Sequence, residues 1–247
     1  MSCCPGKLPK SQEGFIPTLN KMGYVTQNID EYSQAFVEYA ASACGSVLDI
    51  GAAYGNISLL ALAKGAHVIA NDLDLRHLEI LKSRVDKDSL KRLQLLPGRF
   101  PHEISFPDNS LGAILISQVL HFFINEELYQ AVKKIYQWLK PNAKVFVVAG
   151  TPYIGIYRDF IPLFEQRKKE RSSCPGLIEN ISVYKHTRVG DLPKSLNFFD
   201  DEILRDLFLN EGFIIEKVSM FTHKRLPKDI KLDGRESVGL IAIKPLS

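Results

Sequence analysis

Long apolar runs are missing from this 247-residue chain. The longest, Leu111 to Ile116, resumes at Val119 to Ile124 only after Ser117-Gln118, too short and too interrupted to cross a bilayer, and residues 1 to 20 hold no signal-peptide core. No membrane partner is expected. An excess of one charge is missing too. With 31 basic against 28 acidic residues and a net charge of +3, no global field argues for nucleic acid or an anionic surface. Cysteine is scarce: Cys3, Cys4, Cys44 and Cys174 contain no C-x-x-C spacing, so neither a zinc nor a redox site is predicted, no metal is expected, and a reducing, cytoplasmic setting fits best. Ser2 stands where myristoylation would need glycine, and Cys3-Cys4 read as part of a loose tail. Internal repeats and low-complexity segments are likewise lacking.

What is present is a hydrophobic content of 45%, enough for a substantial core. Asn28 and Glu31 have capping-box spacing before Tyr32, Ala35, Phe36, Tyr39, Ala40 and Ala43, which predicts an amphipathic helix ended by Gly45. Strands are then predicted at 47–50, 66–70, 93–96, 111–117 and 145–149, alternating with helices at 56–63, 75–85 and 126–140, the last stopped by Pro141-Asn142. Such alternation predicts a doubly wound α/β sheet, mostly parallel, with helices on both faces. After Gly150 the rhythm breaks into an insertion at about 151–197. A helix at 200–210 and strands at 213–220 and 238–243 complete one domain over 29–247, with 1–28 as an N-terminal tail and lid segment.

In such a sheet a ligand lies beyond the carboxyl ends of the strands where their order reverses, so the loop after the first predicted strand is the first place to look. It reads Asp49-Ile50-Gly51-Ala52-Ala53-Tyr54-Gly55. Gly51 permits a tight turn, small Ala52 and Ala53 keep space open, and Gly55 lets the next helix start close to the sheet. A dinucleotide site wants G-x-G-x-x-G; this loop offers only G-x-x-x-G, and Asp49 would repel a pyrophosphate while favouring a cationic ligand. Asp72, after the second strand, suits the ribose hydroxyls of an adenosine, or else caps the following helix, a role open also to Asp74.

Val47 to Gly55, then His67-Val68-Ile69-Ala70-Asn71-Asp72, resemble the class I S-adenosylmethionine-dependent methyltransferases. Phe106 to Ile114, Ser117-Gln118-Val119-Leu120-His121-Phe122 and Leu139-Lys140-Pro141-Asn142-Ala143 extend the resemblance over roughly residues 30 to 150, and Asn197-Phe198-Phe199-Asp200 and Glu211-Gly212-Phe213 look like the family's later helix and strand. The resemblance implies seven strands in the order 3-2-1-4-5-7-6 with strand 7 antiparallel. It implies S-adenosylmethionine as cofactor, with Asp49, Gly51, Ala52, Ala53 and Gly55 around the methionine part and Asp72 on the ribose. Leu73 would flank adenine, Gly98-Arg99-Phe100 would lie beside its ring, and Ser117 and Gln118 would line the methionyl side. Two positions depart from the pattern: Arg99 stands where an acidic residue is common, and Ala53 where glycine is more usual. Phe100 is either a stacking partner or core.

Methyl transfer from a sulfonium asks mainly for positioning and a dry site, with a base only for an acceptor that is protonated at working pH. His121, just past the fourth strand, is the leading candidate base, the other reading being a histidine that satisfies a backbone carbonyl. The insertion and residues 15–28 are the natural acceptor lid, with Tyr24, Tyr153, Tyr157, Tyr184 and His186 as candidate substrate contacts. The same aromatics could instead pack the lid onto the domain. His67, His77, His102 and His223 read as surface residues. A small-molecule acceptor is favoured, since no nucleic-acid module is appended; a protein or tRNA acceptor, a regulatory module that binds the cofactor without turnover, and a nicotinamide-dependent oxidoreductase are the competing readings. The acceptor's identity and the oligomeric state are not encoded legibly.

Overall fold

The computed structural model describes residues 7–11, 14–184, 190, 192–224 and 226–246. The chain begins with a two-stranded hairpin, β1 (Phe15–Pro17) and β2 (Tyr24–Thr26), followed by α1 (Glu31–Ala40), β3 (Val47–Ile50), α2 (Asn56–Ala63), β4 (Val68–Asp72), α3 (Leu75–Arg84), β5 (Leu93–Pro97), β6 (Leu111–Ser117), α4 (Asn125–Trp138) and β7 (Leu139–Gly150). Beyond it come α5 (Ile161–Lys169), β8 (Leu177–Ile178), β9 (Leu196–Asn197), α6 (Asp201–Asn210), β10 (Ile214–Phe221) and β11 (Ser237–Ile243). The main sheet runs β10-β11-β7-β6-β3-β4-β5. Numbered by its own strands this is the expected 3-2-1-4-5-7-6, and the last strand pairs antiparallel with both neighbours.

Side-chain alternation along the strands explains why helices cover both faces. Leu48, Ile50, Ile114, Ile116, Val145 and Val147 point to the face packed by Leu128, Val132 and Ile135 of α4 and by Leu204 and Phe208 of α6. Val47, Ala113, Leu115, Phe146 and Val148 point to the opposite face, under Tyr32, Phe36 and Val37 of α1 and Ala61 and Leu62 of α2.

Several local expectations shift. The cap of α1 is Asp30, not Asn28: its carboxylate accepts from the amides of Tyr32 and Ser33 at 2.9 and 2.8 Å and from Ser33 Oγ at 2.7 Å. Asp74 caps α3 by accepting from Arg76 N, which frees Asp72 from that role. Pro141-Asn142 does not interrupt the strand. Asn142 takes a φ of 64° and its amide bonds to Lys244 O, so β7 already pairs at Leu139 and passes through an irregularity.

Residues 151–197 build a small apolar cluster of their own, with Tyr153, Tyr157, Phe160, Phe164, Ile178, Ile181, Leu196 and Phe198 at its centre. It rests on the main body through Phe122, Ile203 and Met220.

Candidate functional site

A cavity of about 570 Å³ opens at the carboxyl ends of β3, β4 and β6. One side is made by the loop after β3. Gly51 and Gly55 have φ of 71° and 77°, and Ala53 has a φ of 45° that glycine would adopt more freely. Ala53 is held there because its amide donates to Asp72 Oδ2 at 2.9 Å. The glycines are set by space as well: a Cβ on Gly51 would stand 2.3 Å from Val119 Cγ2, and one on Gly55 2.0 Å from Leu81 Cδ1. Gly51 therefore borders the cavity, whereas Gly55, off the cavity wall, lets α2 pack on α3. Gly51→Ala is expected to lower the melting temperature and to weaken ligand binding at this loop, measured by thermal unfolding and calorimetry of the same preparation.

Two buried carboxylates face the cavity. Asp49 is 3% exposed, and its Oδ2 accepts from the buried Ser58 hydroxyl at 2.6 Å. Burial pushes its carboxyl up to about 6, against the Ser58 hydrogen bond, and the Asp72 charge adds to the rise. Asp72 is 5% exposed and accepts at Oδ1 from the amide of Asp74 at 2.8 Å. Leu73, 55% exposed, stands at the mouth beside it.

Gly98, Arg99 and Phe100 border the same cavity, as do Ser117 and Gln118. The Arg99 guanidinium turns to Glu127 at 2.9 Å, and its amide is taken by Glu103 Oε2 at 2.8 Å. Phe100 is in the core: its ring packs on Phe123 and Trp138, leaving only part of it for the cavity. Asn71, absent from the sequence-based candidates, anchors this region by donating to the carbonyls of Leu96 and Gly98 at 2.8 and 2.9 Å.

The cavity is also lined by the N-terminal segment, with Met22, Tyr24 and Val25 among its residues, and by Phe122 and Phe123 after β6. Of the candidate substrate contacts among the described residues, Tyr24 alone lies on the wall. Tyr153, Tyr157 and Tyr184 do not line the cavity: Tyr153 and Tyr157 are buried in the insertion's own cluster, and the Tyr184 ring packs edge-on against Tyr157 and Phe160. Aromatic side chains in a segment this short are consumed by its own core before they can serve as walls. His186 lies outside the described residues. His121 is corrected as well. Its ring is on the turn Leu120–Phe122, stacked edge-on against Phe122 and off the cavity wall; burial pushes it down to about 4, and Nδ1 finds no hydrogen-bond partner among the described residues. A neutral imidazole so weakly basic is a poor general base.

Residues 47–142 match the family model of a methyltransferase domain, the span that carries the loop, Asp72 and the strands around them. Over that span the chain carries a methyltransferase domain. It is 26% identical over 188 residues to an uncharacterized methyltransferase of Schizosaccharomyces pombe, covering 75% of this chain and 61% of that protein. To a histone-arginine methyltransferase of Drosophila persimilis it is 26% identical over 124 residues, 50% of this chain and 23% of that one. The chain thus spans less than two thirds of these relatives' length. Among solved structures, a methyltransferase of Methanosarcina mazei superposes with a TM-score of 0.65 at 18% identity, over 89% of this chain and 100% of that one. A glycopeptide N-methyltransferase in complex with S-adenosylhomocysteine superposes with a TM-score of 0.60 at 14% identity, over 86% and 88%; these two likenesses are likenesses of fold.

Within this methyltransferase fold, sequence reasoning missed His77. It is 1% exposed, not a surface residue, and it contacts both Asp72 and the N-terminal segment. The partly buried His223 is corrected in the same direction, while His67 and His102 are exposed as expected. His77 lies on the same helix face as Ile80 and Leu81, a periodic signal that its polar side chain masked, and Tyr54, Asp72 and the hairpin cover it.

Proposed function

We propose that the chain is an enzyme that uses S-adenosylmethionine to methylate a small, largely apolar molecule. The observation that carries this reading is the cavity itself. It presents two buried carboxylates, and Met22, Tyr24, Val25, Phe122 and Phe123 are among the side chains that line it.

The residues fit the cofactor. A cationic ligand offsets the cost of ionising Asp49 beside Asp72, and with three of its about four acceptor sites taken Asp72 Oδ2 keeps one for a ribose hydroxyl. Gly51, Ala52 and Ala53 would pass the methionine part, Ser117 and Gln118 its other side, and Leu73 with Gly98, Arg99 and Phe100 the adenine. When bound, the cofactor supplies an electrophilic methyl group on a sulfonium. The chain's own part is to orient the acceptor and exclude water. The histidine among the described lining residues, His77, has both ring nitrogens engaged, so the acceptor atom is one that needs no imidazole base.

We read 29–247 as the methyltransferase domain, with the insertion at 151–197 as a separate small core on it, and the segment preceding residue 29 as the acceptor-side wall. Cys44 is an exposed free thiol, which supports a reducing, cytoplasmic setting. Among the described residues no helix is long and apolar enough to cross a membrane.

Calorimetric titration with S-adenosylmethionine, S-adenosylhomocysteine and NAD tests the cofactor: binding of the first two alone is expected, and binding of NAD alone would sink the reading. Radiolabelled methyl transfer to a panel of small apolar amines, phenols and thiols, run beside a histone peptide and tRNA, then tests the acceptor. Label entering only the macromolecules would overturn the small-molecule assignment.

A further inference from the structure

His77 bridges two parts of the molecule that no local sequence signal connects. Its Nε2 lies 3.0 Å from the amide nitrogen of Leu19, and its Nδ1 lies 3.1 Å from Asp72 Oδ1. A backbone amide can only donate, so Nε2 must be the unprotonated nitrogen and Nδ1 carries the hydrogen. The imidazole is therefore fixed as one neutral tautomer that donates to Asp72 and accepts from Leu19.

Leu19 belongs to the turn between β1 and β2, whose Thr18, Asn20 and Met22 line the cavity. Three further bonds hang this strap on the same edge of the domain. Tyr54 Oη donates to Pro17 O at 2.7 Å, Asn56 Nδ2 to Thr26 O at 3.0 Å, and Arg76 Nη2 to Leu19 O at 3.3 Å. The Tyr54 ring also packs edge-on against the His77 ring, with centroids 5.0 Å apart. Of the four contacts, only the one through His77 continues to a carboxylate on the cavity wall.

We propose that His77 is a positioning residue that joins cofactor recognition to closure of the strap: the hydrogen bond that aims Asp72 and the hydrogen bond that holds Leu19 are made by one ring in one tautomer. This rests on the reading of Asp72 as the ribose acceptor. A docked strap holds the ring that orients Asp72, and a ligand that holds Asp72 steadies the ring on which the strap docks. By linkage, the S-adenosyl ligand protects the strap.

The two halves of the ring can be separated by substitution. The amide nitrogen of Asn stands near the place of Nδ1 and the amide oxygen of Gln near that of Nε2. His77→Asn is expected to make the Leu19 amide exchange faster, with neither that exchange nor trypsin cleavage after Lys21 slowed by S-adenosylhomocysteine, while affinity falls less than in the Gln variant. His77→Gln is expected to keep the strap protected in the free protein while affinity falls about tenfold. His77→Ala should lose both. Calorimetry, hydrogen exchange at Leu19, trypsin cleavage at Lys21 and thermal melting are measured on each variant and on Asp72→Ala. Identical behaviour of the Asn and Gln variants, either unchanged from the parent or impaired in proportion to their melting temperatures, would overturn the coupling and leave His77 as packing. Normal affinity in folded Asp72→Ala would overturn the ribose assignment instead, whatever the His77 variants do.

Discussion

Replacing Asp72 by alanine is expected to weaken S-adenosylmethionine binding by at least about tenfold, since the one acceptor site its carboxylate keeps for ribose makes a charge-assisted hydrogen bond of about 1.5–3 kcal/mol. The carboxylate also organises the site without ligand: it accepts from the amides of Ala53 and Asp74 and from His77. Some loss of stability accompanies the substitution, on the order of 1–3 kcal/mol for buried donors left without an acceptor. The cooperative unfolding transition should survive, because the strands and helices that carry the core do not depend on Asp72. Circular dichroism melting and calorimetry on one preparation separate the two effects. A folded variant with unaltered affinity would refute the assignment.

The second large effect concerns Asp49 and pH. Its carboxyl is raised from 3.8 to about 6 by burial, with the Asp72 charge contributing. The folded state therefore holds this proton more tightly than the unfolded chain. The resulting stabilisation is fully present below about pH 3.8 and lost as pH rises through about 6. Above that, the free protein carries a buried charge at a cost on the order of 3 kcal/mol. Asp49→Asn should accordingly raise the melting temperature of the free protein at pH 8 and have little effect near pH 4. Ligand binding should run the other way. A cationic ligand favours the ionised carboxyl, so below pH 6 each unit of acidification is expected to cost about tenfold in S-adenosylmethionine affinity, with proton release on binding. In Asp49→Asn the affinity should be lower at pH 8 and nearly flat with pH. An equally steep dependence in the variant would assign the titration to another group.

How much of this was legible in the sequence varies element by element. The helix 56–63 is found with both expected ends, since Gly55 opens it and Lys64-Gly65 closes it within the local chain. The cap of α1 was misplaced by two residues. Asp30 and Asn28 are both competent acceptors, and because the helix begins at Glu31 it is the Asp30 carboxylate that reaches the amides of Tyr32 and Ser33. The hairpin β1 and β2 is too short, at three residues a strand, to give a periodic signal. Phe100 left two readings open, and its ring both packs on Trp138 and Phe123 and borders the cavity.

The sequence by itself determined the sheet, its strand order through the family resemblance, and the small-residue loop with Asp49 and Asp72 at its ends. Those features are written in turn residues, side-chain periodicity and short motifs, which act over a few positions of the chain. Only the tertiary structure decided which residues close the cavity. It turned the insertion's tyrosines inward to a core of their own, moved His121 off the wall, and brought Leu19 onto His77 across a separation of 58 residues. Contacts between distant segments follow from which surfaces remain to be buried once the local elements have formed, and no local pattern carries that information.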